Sequence, residues 1–117
     1  MTSLYGIPNC DTVKKARQWL DEHGVPHAFH DYKKQGVPAD RLRAWVDRLG
    51  WDALLNRSGT TFRKLPDSEK ADLDRDRAIA LMLAHPSVIR RPVLASGDTL
   101  LVGFKPDAYA AALASPA

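Results

Sequence analysis

Apolar and polar positions follow two different periods along this chain, one typical of strands and one typical of helices. Leu4–Ile7 is a short apolar run that predicts a buried strand, and Gly6 and Pro8 then favour a turn. From Asp11 onward the apolar residues recur at helical spacing and share one face, formed by Val13, Ala16, Trp19 and Leu20. Gly24 follows this pattern, at the place where a helix-ending glycine is expected.

The next apolar segment predicts a second strand beside the first. His27–Tyr32 alternates apolar and polar residues, which is typical of a strand with one buried face. A strand, a helix and another strand within about thirty residues form a βαβ unit with parallel strands and a right-handed crossover. Lys33–Pro38 is polar and is predicted to be a loop.

The middle of the chain is predicted to be helical. Ala39–Leu49 predicts a second clear helix that ends at Gly50, with an apolar face formed by Leu42, Trp45, Val46 and Leu49. Trp51–Leu55 is predicted to form a short further helix. Asn56–Leu65 has no sustained period and is predicted to be a loop.

Two aspartates mark the helices that follow this loop. Asp67 is predicted to cap a short helix, and Asp74 to cap a longer helix that ends near Ala84. The inner face of the longer helix is predicted to be Ile79, Met82 and Leu83.

The end of the chain returns to strands. Pro92–Ala95 and Thr99–Phe104 are apolar runs, and Gly97-Asp98 between them is a signal for a type II′ hairpin turn. Pro106 is predicted to begin a last helix with inward-facing Tyr109, Ala110 and Leu113. The order of elements predicts a small mixed sheet with helices on its faces.

Composition narrows the function classes. A chain of 117 residues is expected to be one domain with its own core. The net charge is +3, and basic and acidic residues are interspersed, which argues against a nucleic-acid surface and suits a small anionic substrate. The sequence has no signal peptide and no long apolar run, so we expect a cytoplasmic protein without a membrane segment.

Cys10 is the only cysteine and lies where the first strand turns into the first helix. Unpaired backbone N–H groups and the helix dipole stabilise an anion at such a site. A thiol there can fall from a pKa of about 8.5 to roughly 3.5–7.5. Lys14 and Lys15, one turn on, would add positive potential. The alternative is that Cys10 is a small buried hydrophobic residue; its place between strand and helix favours a reactive thiol.

Four segments together resemble one protein family. They are YGIPNCDT at Tyr5–Thr12, ALLNR at Ala53–Arg57, HPSVIRRPV at His85–Val93, and VGF at Val102–Phe104. In this order they resemble the arsenate-reductase-like (ArsC) family, and within it the small YffB-type branch. The resemblance implies an α/β, thioredoxin-like fold: a small mixed four-stranded sheet with flanking helices and a helical insertion between strands 2 and 3.

The resemblance also implies how the chain is divided. Residues 1–117 would be a single ArsC-like domain. Within it, 1–32 and 86–117 would form the thioredoxin-like core, and 33–85 the helical insertion.

The resemblance further implies the roles of individual residues. Cys10 matches the family's catalytic cysteine. Arg91 matches an arginine that faces the oxyanion, and Pro92 matches the cis-proline beside the cysteine. A mid-chain arginine of the family falls on Arg57, or on Asn56 if the alignment slips by one. The remaining candidates for binding substrate or glutathione are Asn9, Asp11, Thr12, Lys14 and Lys105.

Two departures from the family pattern argue against arsenate as the substrate. Lys105 stands near the position of the family's third oxyanion arginine. Gly6-Ile7 stands where some arsenate reductases have a histidine.

A single cysteine limits the possible chemistry. A thiolate that attacks an oxidised sulfur or an arsenic(V) oxyanion needs a second thiol to regenerate it. Position 13 is valine, so there is no C-x-x-C pair, and the second thiol must come from glutathione or a glutaredoxin. Glutathione would be a co-substrate rather than a bound cofactor. Its carboxylates suit Arg57, Arg91, Lys14 or Lys105. The four histidines lack ligand spacing, so no metal is expected.

Three functions therefore compete. The first is a glutathione-dependent thiol reductase that acts on a small anionic or disulfide substrate. The second is a true glutaredoxin-coupled arsenate reductase. The third is a non-catalytic regulator of the Spx type, which binds RNA polymerase, although Val13 removes the redox switch found in many such regulators. The sequence leaves open the physiological substrate and the oligomeric state.

Overall fold

The computed structural model describes residues 2–113 of the chain. Its four strands are β1 (Thr2–Gly6), β2 (His27–Asp31), β3 (Val93–Ser96) and β4 (Thr99–Val102). Its helices are α1 (Asp11–Glu22), α2 (Tyr32–Gln35), α3 (Ala39–Leu49), α4 (Trp51–Leu54), α5 (Thr60–Arg63), α6 (Asp67–Lys70), α7 (Arg75–Ala84) and α8 (Pro106–Leu113). A 3-10 turn at Pro86–Val88 links α7 to the last part of the chain.

The four strands form one mixed sheet in the order β2-β1-β3-β4. β1 and β2 are parallel, as the βαβ pattern predicts, and the other two pairs are antiparallel. The register pairs Gly6 with Asp31 and Tyr5 with Val93. The carboxyl ends of β1 and β2 and the amino end of β3 therefore lie at the same edge of the sheet. The predicted thioredoxin-like sheet is confirmed.

Two compact units make up the described chain. Gly36–Arg90 forms one unit, and the described residues before and after it form the other. We call these the helical unit and the sheet unit. The predicted division at residues 33 and 86 remains a prediction, and the ends of the predicted domain, residues 1 and 114–117, lie outside the described residues.

The sheet unit buries one face of its sheet under α1 and α8. Leu4 and Leu94 project from neighbouring strands into a cluster with Ala16, Leu20 and Tyr109. Each buried leucine of this cluster stabilises the fold by about 1.5–3 kcal/mol through burial. Trp19 packs against this cluster but is only partly buried, so its assignment to the inner face of α1 holds in part.

One prediction for α8 is wrong. Tyr109 is fully buried and Leu113 packs against the same cluster, but Ala110 is exposed. Residues four apart share a helix face, whereas the residue after Tyr109 is rotated by roughly 100°.

The helical unit has its core between α3 and α7. α3 has the predicted bounds, and its buried residues are Leu42, Trp45 and Val46. Leu49 is 37% exposed, so its predicted place on the inner face is wrong; it is the last residue of α3, where Gly50 (φ +88°) turns the chain away. On α7 the buried residues are Ala78, Ile79, Leu81 and Met82, and Leu83 is only partly buried. α7 is apolar on most sides, so periodicity alone could not identify its inner face.

Short helical turns account for two further corrections. The predicted loop Asn56–Leu65 contains α5, which begins after Gly59. Tyr32 does not end β2 but begins α2, a single turn inside the predicted loop Lys33–Pro38. A four-residue turn is too short to show helical periodicity in a sequence.

Helix and strand ends also differ in places from the predictions. Asp67 is the first residue of α6, and Pro66 precedes it as the flanking residue. Asp74 does cap α7, since its side chain accepts the backbone N–H of Arg77 at 2.8 Å. β4 ends at Val102, because Gly103 adopts φ +84° and donates its N–H to the carbonyl of Pro92. Among the described residues, no helix combines the length and apolar character needed to span a membrane.

Candidate active site

Cys10 is the N-cap residue of α1. Its backbone is extended (φ −86°, ψ 129°), and its carbonyl accepts the N–H of Lys14 at 2.9 Å, the first hydrogen bond of the helix. Its own N–H closes the preceding turn on the carbonyl of Ile7 at 3.2 Å. The side chain is partly exposed. The predicted location at the start of a helix is confirmed, and the alternative of a buried hydrophobic residue is wrong.

Gly6 allows this helix start to approach the end of β1. A Cβ atom at position 6 would lie 2.8 Å from Cγ2 of Val13, a residue that is fully buried. Valine has little rotamer freedom to move aside. The glycine therefore fixes how closely the first turn of α1, and with it Cys10, packs against the sheet.

Arg91 lies at the same edge of the sheet, just before the first residue of β3. It immediately precedes Pro92 and β3, and the Arg91–Pro92 peptide bond is cis, as the family resemblance implied. Pro92 is buried, and its carbonyl accepts the N–H of Gly103 at 2.8 Å. This anchoring places the partly buried Arg91 side chain beside Cys10.

The groups around the sulfur favour the thiolate. Burial by itself would raise the pKa of Cys10, but the N–H of Val13, a hydrogen bond and positive charge from Arg91, and the N–H of Thr12 together hold that pKa below its ordinary value. The arrangement increases the thiolate fraction of Cys10, and the thiolate is the nucleophilic form of cysteine.

The predicted binding residues next to Cys10 in the chain are exposed. Asn9 lies in the turn before α1, and Asp11, Thr12 and Lys14 lie in its first turn. Thr12 acts on the sulfur through its backbone N–H, and Lys14 is not among the groups that lower the pKa of Cys10. Lys105 is exposed just before α8, where its carbonyl accepts the N–H of Tyr109.

Arg57 and Asn56 belong to the helical unit. The Arg57 guanidinium pairs with Asp52 and lies 4.9 Å from the ring centre of Trp51. Arg57, Asp52, Leu55, Ser58 and Arg90 line a surface cleft of about 440 Å³. The Asn56 side-chain oxygen accepts the N–H and the hydroxyl of Ser58. The role of either residue toward Cys10 remains a prediction.

Sequence reasoning missed Tyr32 as a residue of this edge. Tyr32 follows β2 directly and is 2% exposed, and Arg91 acts on its hydroxyl electrostatically. The only sequence signal for Tyr32 is its position directly after β2, the strand that pairs with β1, which in turn leads to Cys10.

A family model and solved structures match nearly the whole of this chain. Residues 5–112 match the model of the ArsC family. A solved structure described as YffB protein is 62% identical over 97% of this chain and 99% of its own, with a TM-score of 0.94. The solution structure of an arsenate reductase (ArsC) related protein from Brucella melitensis is 51% identical over 96% and 93%, with a TM-score of 0.75.

A curated relative belongs to another functional class. The global transcriptional regulator Spx of Listeria innocua is 29% identical over 92% of this chain and 82% of its own length. Its match covers most of this chain, as the matches of the two solved structures do, but its sequence identity to this chain is lower. From the extent of the family match and the solved relatives, the chain belongs to the ArsC family, with that family's arsenate-reductase-like fold.

Proposed function

We propose that this protein is a glutathione-dependent thiol reductase in which Cys10 is the single nucleophile. The observation that carries the proposal is a partly exposed thiol at the start of α1 whose pKa is lowered by backbone N–H groups and by Arg91. Membership of a family of arsenate-reductase-like proteins supports an oxidoreductase. Glutathione and glutaredoxins work in a reducing compartment, so we place the protein in the cytoplasm.

The proposed cycle is balanced by two molecules of glutathione. The Cys10 thiolate attacks one sulfur of a disulfide, a Cys10 mixed disulfide forms, and the other half leaves as a thiolate that takes a proton from water. The thiolate of glutathione then attacks the outer sulfur of the mixed disulfide and releases the Cys10 thiolate. A second glutathione, or a glutaredoxin, reduces the resulting mixed disulfide. Two electrons pass from two thiols to one disulfide.

Arg91 has two proposed roles in this cycle. Its guanidinium stabilises the Cys10 thiolate before the attack and again when that thiolate leaves. Its planar donors also suit a carboxylate of glutathione.

We propose that the peptide-binding part of the site is lined by Asn9, Asp11, Thr12 and Pro92. Further cationic contacts are Lys14, Lys105 and Arg57.

Arsenate reduction is the second candidate, and the similarity to an arsenate reductase-related protein favours it. It requires arsenite to form when arsenate, glutathione and glutaredoxin are supplied together. Lys105 in place of a third arginine, and Gly6-Ile7 in place of a histidine, weigh against it.

Regulation through RNA polymerase is the third candidate, and the match to Spx favours it. It requires that RNA polymerase be recovered with this protein even when Cys10 is replaced by serine. Val13, which removes the C-x-x-C pair, weighs against a redox-sensing regulator.

Mass spectrometry after exposure to oxidised glutathione tests the proposal. We expect one glutathione on Cys10 at neutral pH, because the thiolate attacks the disulfide of oxidised glutathione. Free glutathione or a glutaredoxin should then remove this adduct. The Cys10→Ser variant is the matched control and should stay unmodified. A wild-type protein that forms no adduct, or an adduct that neither reductant removes, would contradict the proposal.

A further inference from the structure

Three segments that carry polar side chains meet at one edge of the sheet. β1 leads through a turn to Cys10, β2 leads directly to Tyr32, and β3 starts directly after Arg91 and Pro92. The register pairs the last residues of β1 and β2, Gly6 and Asp31, and pairs Tyr5 with the first residue of β3. A thiol, a phenol and a guanidinium are thus brought to the same edge by strand pairing.

The Tyr32 hydroxyl is a buried polar group without a hydrogen bond. Tyr32 is 2% exposed, and its hydroxyl oxygen has no partner in the structure. Most buried polar side-chain atoms are hydrogen-bonded, so an exception needs an explanation. Tyr109 of the same unit follows the rule, because its buried hydroxyl donates to the carbonyl of Gly103 at 3.1 Å.

His30, Tyr5 and Arg91 are part of the surroundings of Tyr32. The His30 ring centre lies 6.0 Å from that of Tyr32, and the Tyr5 ring contacts His30 in turn at 5.2 Å. Burial and the nearby Tyr5 raise the pKa of Tyr32 and Arg91 lowers it, with a net rise, so the phenol stays neutral at physiological pH. A neutral hydroxyl offers lone pairs, and a guanidinium has five N–H donors, enough to serve two neighbours.

We infer that Tyr32 is a positioning residue for Arg91: when Cys10 is ionised, the Tyr32 hydroxyl oxygen accepts an N–H of the guanidinium that is hydrogen-bonded to the Cys10 sulfur. The unused hydroxyl then has its partner in the ionised state of the site. The inference rests on the proposed function, because it requires a charged Cys10 sulfur. Without the hydroxyl, the guanidinium is held less firmly and stabilises the thiolate less.

The Tyr32→Phe variant removes only the hydroxyl, and Tyr109→Phe is the matched control. For Tyr32→Phe we expect the apparent pKa of Cys10 to rise by about half a unit. Alkylation by iodoacetamide below that pKa should then slow about threefold. Its melting temperature should be equal or higher, since no hydrogen bond is lost. Tyr109→Phe should melt earlier, with the pKa of Cys10 unchanged.

A second pair of variants separates positioning from a general structural effect. In an Arg91→Gln background, adding Tyr32→Phe should cause no further change in the pKa of Cys10, because the hydroxyl acts through Arg91. An unchanged pKa in Tyr32→Phe, or an equal shift when Arg91 is already replaced, would overturn the inference. In either case the wild-type glutathione adduct would still form, whereas its absence would overturn the proposed function instead.

Discussion

Replacing Cys10 by serine should lower kcat/KM for glutathione-dependent disulfide reduction by at least about a thousandfold. Cys10 is the only cysteine of the chain, so no other thiol can take over the attack. A serine hydroxyl does not ionise near neutral pH and cannot form a mixed disulfide. The measurement is a steady-state assay with a small disulfide and glutathione, with glutaredoxin present and absent.

The serine variant should keep its fold. Cys10 is a partly exposed N-cap residue, and serine is among the preferred N-cap residues, so we expect an equal or slightly higher melting temperature. A loss of activity in a folded protein can then be assigned to the sulfur. A variant that kept a tenth or more of the wild-type rate would show that the nucleophile lies elsewhere.

Replacing Arg91 by glutamine should raise the pKa of Cys10 by about 1 unit, the lower end of the usual effect of an adjacent opposite charge. Glutamine keeps a hydrogen-bond donor but removes the positive charge that lowers this pKa. The rate of alkylation at a pH below both pKa values should fall up to about tenfold. The measurement is the iodoacetamide rate as a function of pH, read by mass spectrometry.

The pH dependence gives this prediction its sign. Below both pKa values a smaller fraction of the variant is thiolate, so the variant reacts more slowly than the wild type. Above both values both proteins are ionised, and the more basic thiolate of the variant reacts at least as fast. Arg90→Gln is the matched control, because Arg90 is exposed, carries the same charge and is not among the groups that act on Cys10. Equal pH profiles for wild type and Arg91→Gln, or the same shift in Arg90→Gln, would contradict the role of Arg91.

Features with a local cause could be predicted from the sequence. The bounds of α3 and the start of α1 at Asp11 follow from apolar residues at helical spacing and from the glycines after them. The cap at Asp74 has a similarly local origin. The location of Cys10 at the start of α1 could also be predicted, because a turn between a strand and a helix depends only on residues close in sequence.

Features that depend on tertiary packing could not be predicted. Leu49 and Ala110 are apolar at helical spacing and yet exposed, because a face is buried only where another element covers it. The single turns α2 and α5 are shorter than a readable period. The place of Tyr32 at the same sheet edge as Arg91 could not be predicted, because it depends on how β1 pairs with β2 and β3.

The ionisation of Cys10 in the wild-type protein tests the central claim most directly. The ultraviolet absorbance of the thiolate can be followed across pH, with Cys10→Ser as the blank. We predict a midpoint clearly below about 8.5, the value of a free cysteine, because Val13, Arg91 and Thr12 stabilise the anion. A midpoint at or above that value would contradict a thiolate held at the start of α1.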